Sequence, residues 1–289
     1  MESELHRFRV GSFHGLAVSD GTFTYPAGVF FANAPKEEYQ TWLRARQLPA
    51  DHMTTPYVCL YLDTGRHRVL VDTGAGRLGP TTGRLVANLR RAGVEPADID
   101  TVILTHAHAD HIGGNCQAEG QPAFPRARYV MSRREWDFWT GPPDLSRLGC
   151  SAPLKQVLLQ AVAQNLEPLR NQLDLLDQEG EIVPGVRALA APGHTPGHWA
   201  LDIRSRDEGF LDAVDTALHP LQIEHPEWFT VVDTHPELAV ASRQRLLARA
   251  AATGVAVLFF HFRSPGLGRV TRSESGFVWR PLGATAVNG

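Results

Sequence analysis

A chain of 289 residues with 43% hydrophobic and 20% charged side chains can bury a substantial core, which excludes an intrinsically disordered protein. The net charge of −3 gives no general attraction to nucleic acid or to an anionic membrane surface. Three cysteines without CxxC spacing exclude a disulfide framework and a thiolate zinc site. No apolar run of about 18 residues and no leader pattern occurs, so we expect a cytoplasmic protein that binds neither membranes nor nucleic acid.

Strand and helix patterns alternate along the chain. Two β-runs joined at Gly65-Arg66 cover 57–76, and an amphipathic helix follows over 81–93. Further on, we predict strands over 101–105, 128–132, 209–214 and 255–261, and a strand that runs into a loop over 186–194. We predict helices from Ser132 through Trp139, over 153–169 and over 236–252. Ser132 with Glu135, and Thr234 with Glu237, have the spacing of a capping box.

This alternation predicts an α/β fold whose functional site is built from loops at strand ends. The chain shows no internal repeat and no linker, so we expect one domain over 1–289 with an N-terminal arm over about 1–50. The arm and the segment 150–175 are the surfaces that we would expect to form a homodimer.

The stretch THAHADHIGG, residues 105–114, follows directly after an apolar strand and is dense in metal ligands. Residues two apart on an extended loop point the same way, so His106 and His108 can hold one metal ion. Asp110 and His111 follow where the chain turns into a helix, and they can face a second ion. Imidazole ligands suit zinc, iron or cobalt, and a carboxylate lowers the net charge of the site.

THAHADHIGG resembles the signature of the metallo-β-lactamase superfamily. The resemblance extends in the expected order over about 58–270, through DTG (72–74), APGHTPGH (191–198), LDAVDTALHP (211–220) and FFHFRSPGLG (259–268). It implies a four-layer αβ/βα sandwich that holds two divalent ions. We expect zinc, with iron, manganese or cobalt as alternatives because these ligands accept several metals.

The resemblance also implies a role for each motif residue. It assigns His106, His108 and His194 to one ion, Asp110, His111 and His261 to the other, and Asp215 to both. Asp72 shapes the site without binding metal. A hydroxide shared by the two ions would attack a carbonyl carbon or a phosphorus, and Asp110 or Asp215 would accept or relay the proton. We interpret Asp212 as an ordinary strand or turn carboxylate.

Several sister groups differ from this chain at informative positions. A β-lactam-hydrolysing enzyme would carry cysteine where Asp215 stands, and a di-iron oxygen-reducing enzyme would carry glutamate in place of His108. The tail after His261 is shorter than the helical extension of glyoxalase II-like enzymes, and the chain leaves no room for the extra domains of the RNA-processing branch. Lactonases and organophosphate hydrolases remain as the candidate groups for this chain.

Residues 21–45 and the SPGLG after His261 resemble most the group containing methyl parathion hydrolase. Many acyl-homoserine lactonases place a tyrosine three residues after the bridging aspartate, where it assists the substrate carbonyl. This chain has Leu218 there, followed by His219, which counts against quorum-signal lactones and leaves other lactones and esters open. The family's usual glycine before the bridging aspartate is Val214, a change that we expect a strand to tolerate.

The sequence therefore predicts a dinuclear metal-dependent hydrolase of lactones or other carboxylic esters. A phosphotriester hydrolase is the alternative, and a non-catalytic binding protein on the same fold is the second. The non-catalytic interpretation predicts a lost ligand, whereas all seven ligand positions are filled. We expect substrate contacts, or contacts just behind the ligands, from His219, Phe30, Phe31, Trp228 and Phe262.

Overall fold

Two sheets of seven strands each form the centre of the part of the chain that the computed structural model describes, residues 4–118, 120–274 and 276–282. The first sheet contains, in spatial order, β1 (Leu5–Val10), β2 (Phe13–Pro26), β3 (His52–Asp63), β4 (Arg68–Val71), β5 (Thr101–Leu104), β6 (Arg128–Ser132) and β7 (Leu173–Leu176). The second contains β8 (Gly180–Val183), β9 (Val186–Ala190), β10 (Trp199–Ser205), β11 (Glu208–Val214), β12 (Ala256–Phe259), β13 (Leu267–Ser273) and β14 (Gly276–Pro281).

Helices cover the outer faces of the two sheets. The α-helices are α1 (Lys36–Ala45), α2 (Leu85–Arg91), α3 (Ala109–Ile112), α4 (Arg133–Thr140), α5 (Ala152–Asn165), α6 (Leu221–Glu224) and α7 (Pro236–Thr253). Among the described helices, none is both long enough and apolar enough to cross a membrane. Leu89 of α2 and Leu158 of α5 pack in one core with the first sheet, and Leu246 of α7 packs in another with the second.

Alternation along the strands places the third core between the sheets. In β5, Val102 and Leu104 face the helices while Ile103 faces the second sheet, because successive side chains of a strand point to opposite faces. In β12, Leu258 faces the first sheet while Val257 faces α7. The resulting order of helix, sheet, sheet and helix confirms the predicted four-layer αβ/βα sandwich.

Parallel pairing determines where the polar residues of the motifs meet. β4 and β5 form a parallel pair in the first sheet, and β11 and β12 form a parallel pair in the second. The carboxyl ends of parallel strands lie at the same edge of a sheet. Asp72 and the loop from Thr105 therefore leave the first sheet together, and Asp215 and His261 leave the second sheet together.

The segment over about 1–50, expected to form an arm, contributes β1 and β2 to the first sheet and then forms α1. Predicted strands over 101–105, 128–132 and 209–214 are confirmed to within one residue. The helix predicted over 153–169 ends earlier, at Asn165, and a 3-10 turn over Glu167–Gln172 replaces its last part. Pro168 explains the change, since proline has no backbone N–H to continue an α-helix.

Both predicted capping boxes are wrong. Ser132 makes no capping hydrogen bond to α4. α7 begins at Pro236 with His235 before it, and Thr234 Oγ1 donates instead to the carbonyl of Gly193 at 3.1 Å. Glu237 pairs with Arg147 on the surface at 2.9 Å. In both cases a tertiary partner outcompetes the local cap.

Val214 is not in ordinary strand geometry, contrary to our expectation. Its φ is +46°, in the left-handed region that glycine favours, and the register between β11 and β12 shifts between Asp212 and Val214. A left-handed backbone costs a residue with a Cβ roughly 1–2 kcal/mol. The irregularity ends the strand directly before Asp215, and such bulges commonly re-aim a side chain at a functional site.

Candidate metal centre

One oxygen of Asp215 lies at the centre of a cluster of imidazoles. The Nε2 atoms nearest to Asp215 Oδ2 belong to His261 at 3.1 Å, His194 at 3.2 Å, His111 at 3.3 Å and His106 at 3.8 Å. Asp110 Oδ2 lies 3.4 Å from His261 Nε2. Residues from four separate segments of the chain therefore converge on one point between the two sheets.

The ligand atoms fall into overlapping groups whose members all lie within 4.8 Å of one another. The groups are His106 with His108 and His194, His106 with His111 and Asp215, and Asp110 with His111 and His261. Two of these groups are the two triplets that the sequence resemblance assigned to separate ions, and Asp215 lies between them. The structure thus brings all seven predicted ligands together.

The donor set fits divalent cations. Among the described residues, Nε2 of His106, His108, His111 and His194 and Oδ1 of Asp215 are buried without a hydrogen-bond partner. A buried polar atom is ordinarily paired, and leaving it unpaired costs about 1–3 kcal/mol. Imidazole nitrogens and a carboxylate are the ligands that zinc prefers besides thiolates, so cations would satisfy these atoms together.

The other nitrogen of each of four imidazoles is engaged by a neighbour. Nδ1 of His111 donates to Asp72 Oδ2 at 2.8 Å, which is the position that the DTG motif predicted for this aspartate. The remaining pairs are His194 Nδ1 with Asp233 Oδ1 at 2.7 Å, His106 Nδ1 with Thr105 Oγ1 at 3.1 Å and His261 Nδ1 with Thr55 Oγ1 at 3.3 Å. Such bonds fix the tautomer and leave Nε2 free to bind a metal.

The protonation of the cluster is set by burial and by its mixed charges. Burial lowers the pKa of His106 and His108 well below the ordinary value. Burial opposes a charge on His194 as well, but Asp215 and Asp233 outweigh it and raise the pKa to about 9. Burial likewise opposes ionisation of Asp215, yet His261 and His111 hold its pKa well below the usual range. A cation would therefore displace a proton from His194 as it binds.

Glu135 is a functional residue that the sequence analysis misassigned to a helix cap. Its carboxylate is fully buried and accepts hydrogen bonds from the backbone N–H groups of Ala107 at 2.9 Å and Gly197 at 2.8 Å. It also accepts the indole N–H of Trp139 at 2.8 Å. Ala107 lies between His106 and His108, and Gly197 closes the loop of His194, so one carboxylate holds two ligand loops in place.

A cavity of about 230 Å³ opens onto the cluster. His108, Asp110, His194, Asp215 and His261 line one end of it. The rest of its lining is Tyr25 together with apolar side chains: Phe23, Val29, Phe30, Leu78, Ala109, Leu154, Val157, Leu158, Leu218 and Val232.

Of the predicted substrate contacts, Phe30 lines this cavity. Phe31, Trp228 and His219 lie behind it in an aromatic cluster, with the Phe31 ring 5.4 Å from that of His219. Phe262 does not face the site, contrary to our expectation: it stacks on Phe259 at 4.3 Å, on the α7 side of the second sheet. The chain turns after β12, so Phe260 instead stacks on His111 at 3.9 Å while Phe262 folds back onto Phe259.

Glu135→Gln is expected to destabilise the fold by about 1–3 kcal/mol, because the amide nitrogen would face an N–H donor and leave it buried and unpaired. Urea unfolding measures the effect. Glu237→Gln, at a side chain that is 77% exposed, is the matched control and should shift the midpoint much less. Equal shifts for the two variants would contradict the role assigned to Glu135.

Comparison with known proteins agrees with this geometry. The profile of the Metallo-beta-lactamase superfamily matches residues 54–251. An N-acyl homoserine lactonase of Bacillus sp is 28% identical over 219 residues, which cover 68% of this chain and 78% of that protein. The solved structure of AidC, described as a dizinc quorum-quenching lactonase in complex with a product, N-hexanoyl-L-homoserine, superposes with a TM-score of 0.91 at 27% identity, covering 97% of this chain and 98% of AidC.

A second solved structure, the hydrolase AbOPH in the beta lactamase superfamily, has a TM-score of 0.88 and covers 98% of this chain and 99% of its own. Its identity of 23% makes it evidence for the fold alone. The family profile covers well over half of the chain. The chain belongs to the metallo-β-lactamase superfamily.

Proposed function

We propose that this chain is a dinuclear metal-dependent hydrolase that opens lactones carrying an apolar acyl substituent. The observation that carries the proposal is the cavity, whose apolar wall ends on the cluster of histidines and aspartates. An ester group at the ligand end and a hydrocarbon chain along the wall would use both parts of this cavity.

The relatives support both the reaction and the substrate class. The relative from Bacillus sp is an N-acyl homoserine lactonase and AidC is a dizinc lactonase, which supports metal-dependent hydrolase as the enzyme class of this chain. Several relatives are N-acyl homoserine lactonases, and the AidC structure contains an N-acyl homoserine product. This outweighs the absence of a tyrosine at position 218, so acyl-homoserine lactones become the first substrates to test.

Two divalent ions, with zinc as the first candidate, would be held by the ligand groups. They are His106, His108 and His194 for one ion, Asp110, His111 and His261 for the other, and Asp215 between them. When bound, such a pair of ions would lower the pKa of a water to about 7 and would polarise the ester carbonyl.

The chain's own residues supply charge, orientation and a dry environment. Asp215 places a buried carboxylate among four imidazoles, which reduces the repulsion between two cations. The carboxylate of Asp110 reaches the cavity and is 16% exposed, so it can accept a proton at Oδ2. The apolar wall excludes water from the bound ester, which strengthens the electrostatic interactions at the ligand end.

The wall also limits the charge of the substrate. Among the described residues that line the cavity there is no lysine and no arginine. A phosphate monoester or a free carboxylate would lack a counter-charge along the wall, and burying an unpaired charge is costly. A neutral lactone with an aliphatic chain has no such cost.

A panel of substrates tests the proposal on the zinc-loaded protein. N-acyl homoserine lactones of increasing chain length should show kcat/KM rising about threefold to fourfold per methylene until the cavity is filled, since each buried methylene contributes about 0.8 kcal/mol. Unsubstituted homoserine lactone, an aryl acetate and a neutral aryl phosphotriester are the comparisons. Faster turnover of the phosphotriester would favour the alternative function, and no turnover of any lactone would refute the proposal.

Asp215→Asn should reduce the bound metal and lower turnover by several orders of magnitude, because it removes the anionic group between the two ion sites. Asp212→Asn is the matched control. Asp212 lies on strand β11, within the strand or turn setting that we expected, and it is 3% exposed, so the isosteric amide is a better control than alanine. The metal content and the turnover rate of Asp212→Asn should stay within a few fold of the wild-type values. Normal metal content and rate in Asp215→Asn would exclude the bridging role.

A further inference from the structure

Two tyrosine hydroxyls meet beside the ligand cluster. The hydroxyl oxygens of Tyr25, on β2, and Tyr57, on β3, lie 2.6 Å apart. Tyr57 is completely buried, whereas Tyr25 is partly exposed and lines the cavity with Asp110 and His261. Among the described residues that line the cavity, Tyr25 is the one with a hydroxyl group.

Burial decides which of the two hydroxyls donates. The hydroxyl of Tyr57 has Tyr25 as its hydrogen-bond partner within the described part of the chain, and it has no access to solvent. If Tyr25 donated to Tyr57, the hydrogen of Tyr57 would be buried and unpaired, which is unfavourable. Tyr57 therefore donates to Tyr25, and the hydrogen of Tyr25 is left to point into the cavity.

The surroundings keep this hydrogen on Tyr25. Burial, reinforced by the negative charge of Asp110, raises the pKa of both phenols. The ring of Tyr57 packs edge-on against His261, with the centroids 5.5 Å apart, and the ring of Tyr25 packs against Phe30 at 6.0 Å. Both rings are thus held between the ligand cluster and the apolar wall, at the end of the cavity where an ester group would lie.

We propose that the Tyr25 hydroxyl donates a hydrogen bond to the carbonyl oxygen of the substrate as that oxygen becomes negative. Tyr57 is a positioning residue, which donates to Tyr25 and so orients and polarises it. No proton is transferred in this interaction, so it requires no further reactant. The inference rests on the proposed function and adds a catalytic residue to it.

The alternative is that the pair only fills space between β2 and β3. Phenylalanine at either position would then preserve the packing and change little. The two interpretations differ in kcat, because a hydrogen bond to a developing negative charge is stronger in the transition state than in the bound substrate.

The test compares Tyr25→Phe, Tyr57→Phe and the double variant on an N-acyl homoserine lactone. A lost donor to the oxyanion typically lowers kcat about 100-fold to 1000-fold, so Tyr25→Phe should lower kcat by up to this range, whereas KM should rise by no more than about threefold to tenfold. Tyr57→Phe should have a smaller effect, and the double variant should be no slower than Tyr25→Phe, because Tyr57 acts through Tyr25. Tyr61→Phe, a buried tyrosine of β3 that does not line the cavity, is the control and should stay within about twofold.

A binding measurement separates this inference from the proposed function. The N-acyl lactam of the same chain length keeps the carbonyl acceptor but resists hydrolysis, and calorimetry gives its affinity. Tyr25→Phe should bind the lactam about threefold to tenfold more weakly than Tyr61→Phe, as expected for one lost hydrogen bond.

If wild-type protein binds the lactam with this difference but opens no lactone, the proposed function fails and the donor role of Tyr25 stands. If wild type opens lactones and Tyr25→Phe matches Tyr61→Phe in both measurements, the inference is overturned. A wild type that neither opens lactones nor binds the lactam contradicts both.

Discussion

Four imidazole nitrogens and one carboxylate oxygen are buried together where the two sheets meet, and none of these atoms has a hydrogen-bond partner. The rest of the structure depends on this one constraint. Each of these atoms would cost about 1–3 kcal/mol if it stayed unpaired, whereas divalent cations would satisfy all of them at once. The parallel strands bring the loops to this edge, and the irregular end of β11 at Val214 places Asp215 between them. The fold therefore supplies a set of donors that is stable when it binds metal.

Hydrogen bonds behind the ligands keep this arrangement rigid. Asp72 and Asp233 fix the orientation of His111 and His194, and Glu135 joins the loops that carry His106, His108 and His194. The hydrogen bonds to Asp72 and Asp233 oppose rotation of the His111 and His194 rings. The apolar cavity then limits what can approach the ligands, in keeping with the neutral, aliphatic esters that we propose as substrates.

The sequence predicted what is local or motif-like. The ligands of THAHADHIGG lie within six residues after a strand, and Asp72, His194, Asp215 and His261 each belong to a recognisable motif. It could not predict pairings that depend on the tertiary fold: Asp233 reaches His194 across 39 residues, and Glu135 reaches Gly197 across 62. Glu135 and Glu237 have capping-box spacing from Ser132 and Thr234, and Phe262 directly follows the ligand His261. In each case the local sequence was compatible with the predicted contact and with the observed one, and tertiary packing selected the observed contact.

Titration of metal-free protein with zinc tests the central claim, that two ions held by these seven side chains make the chain a hydrolase. The rate of N-hexanoyl homoserine lactone opening and the metal bound per chain are measured together after each addition. The account predicts negligible rate without metal, and a plateau reached when two ions are bound per chain. Full activity in the metal-free protein, or saturation with less than one ion per chain, would contradict it.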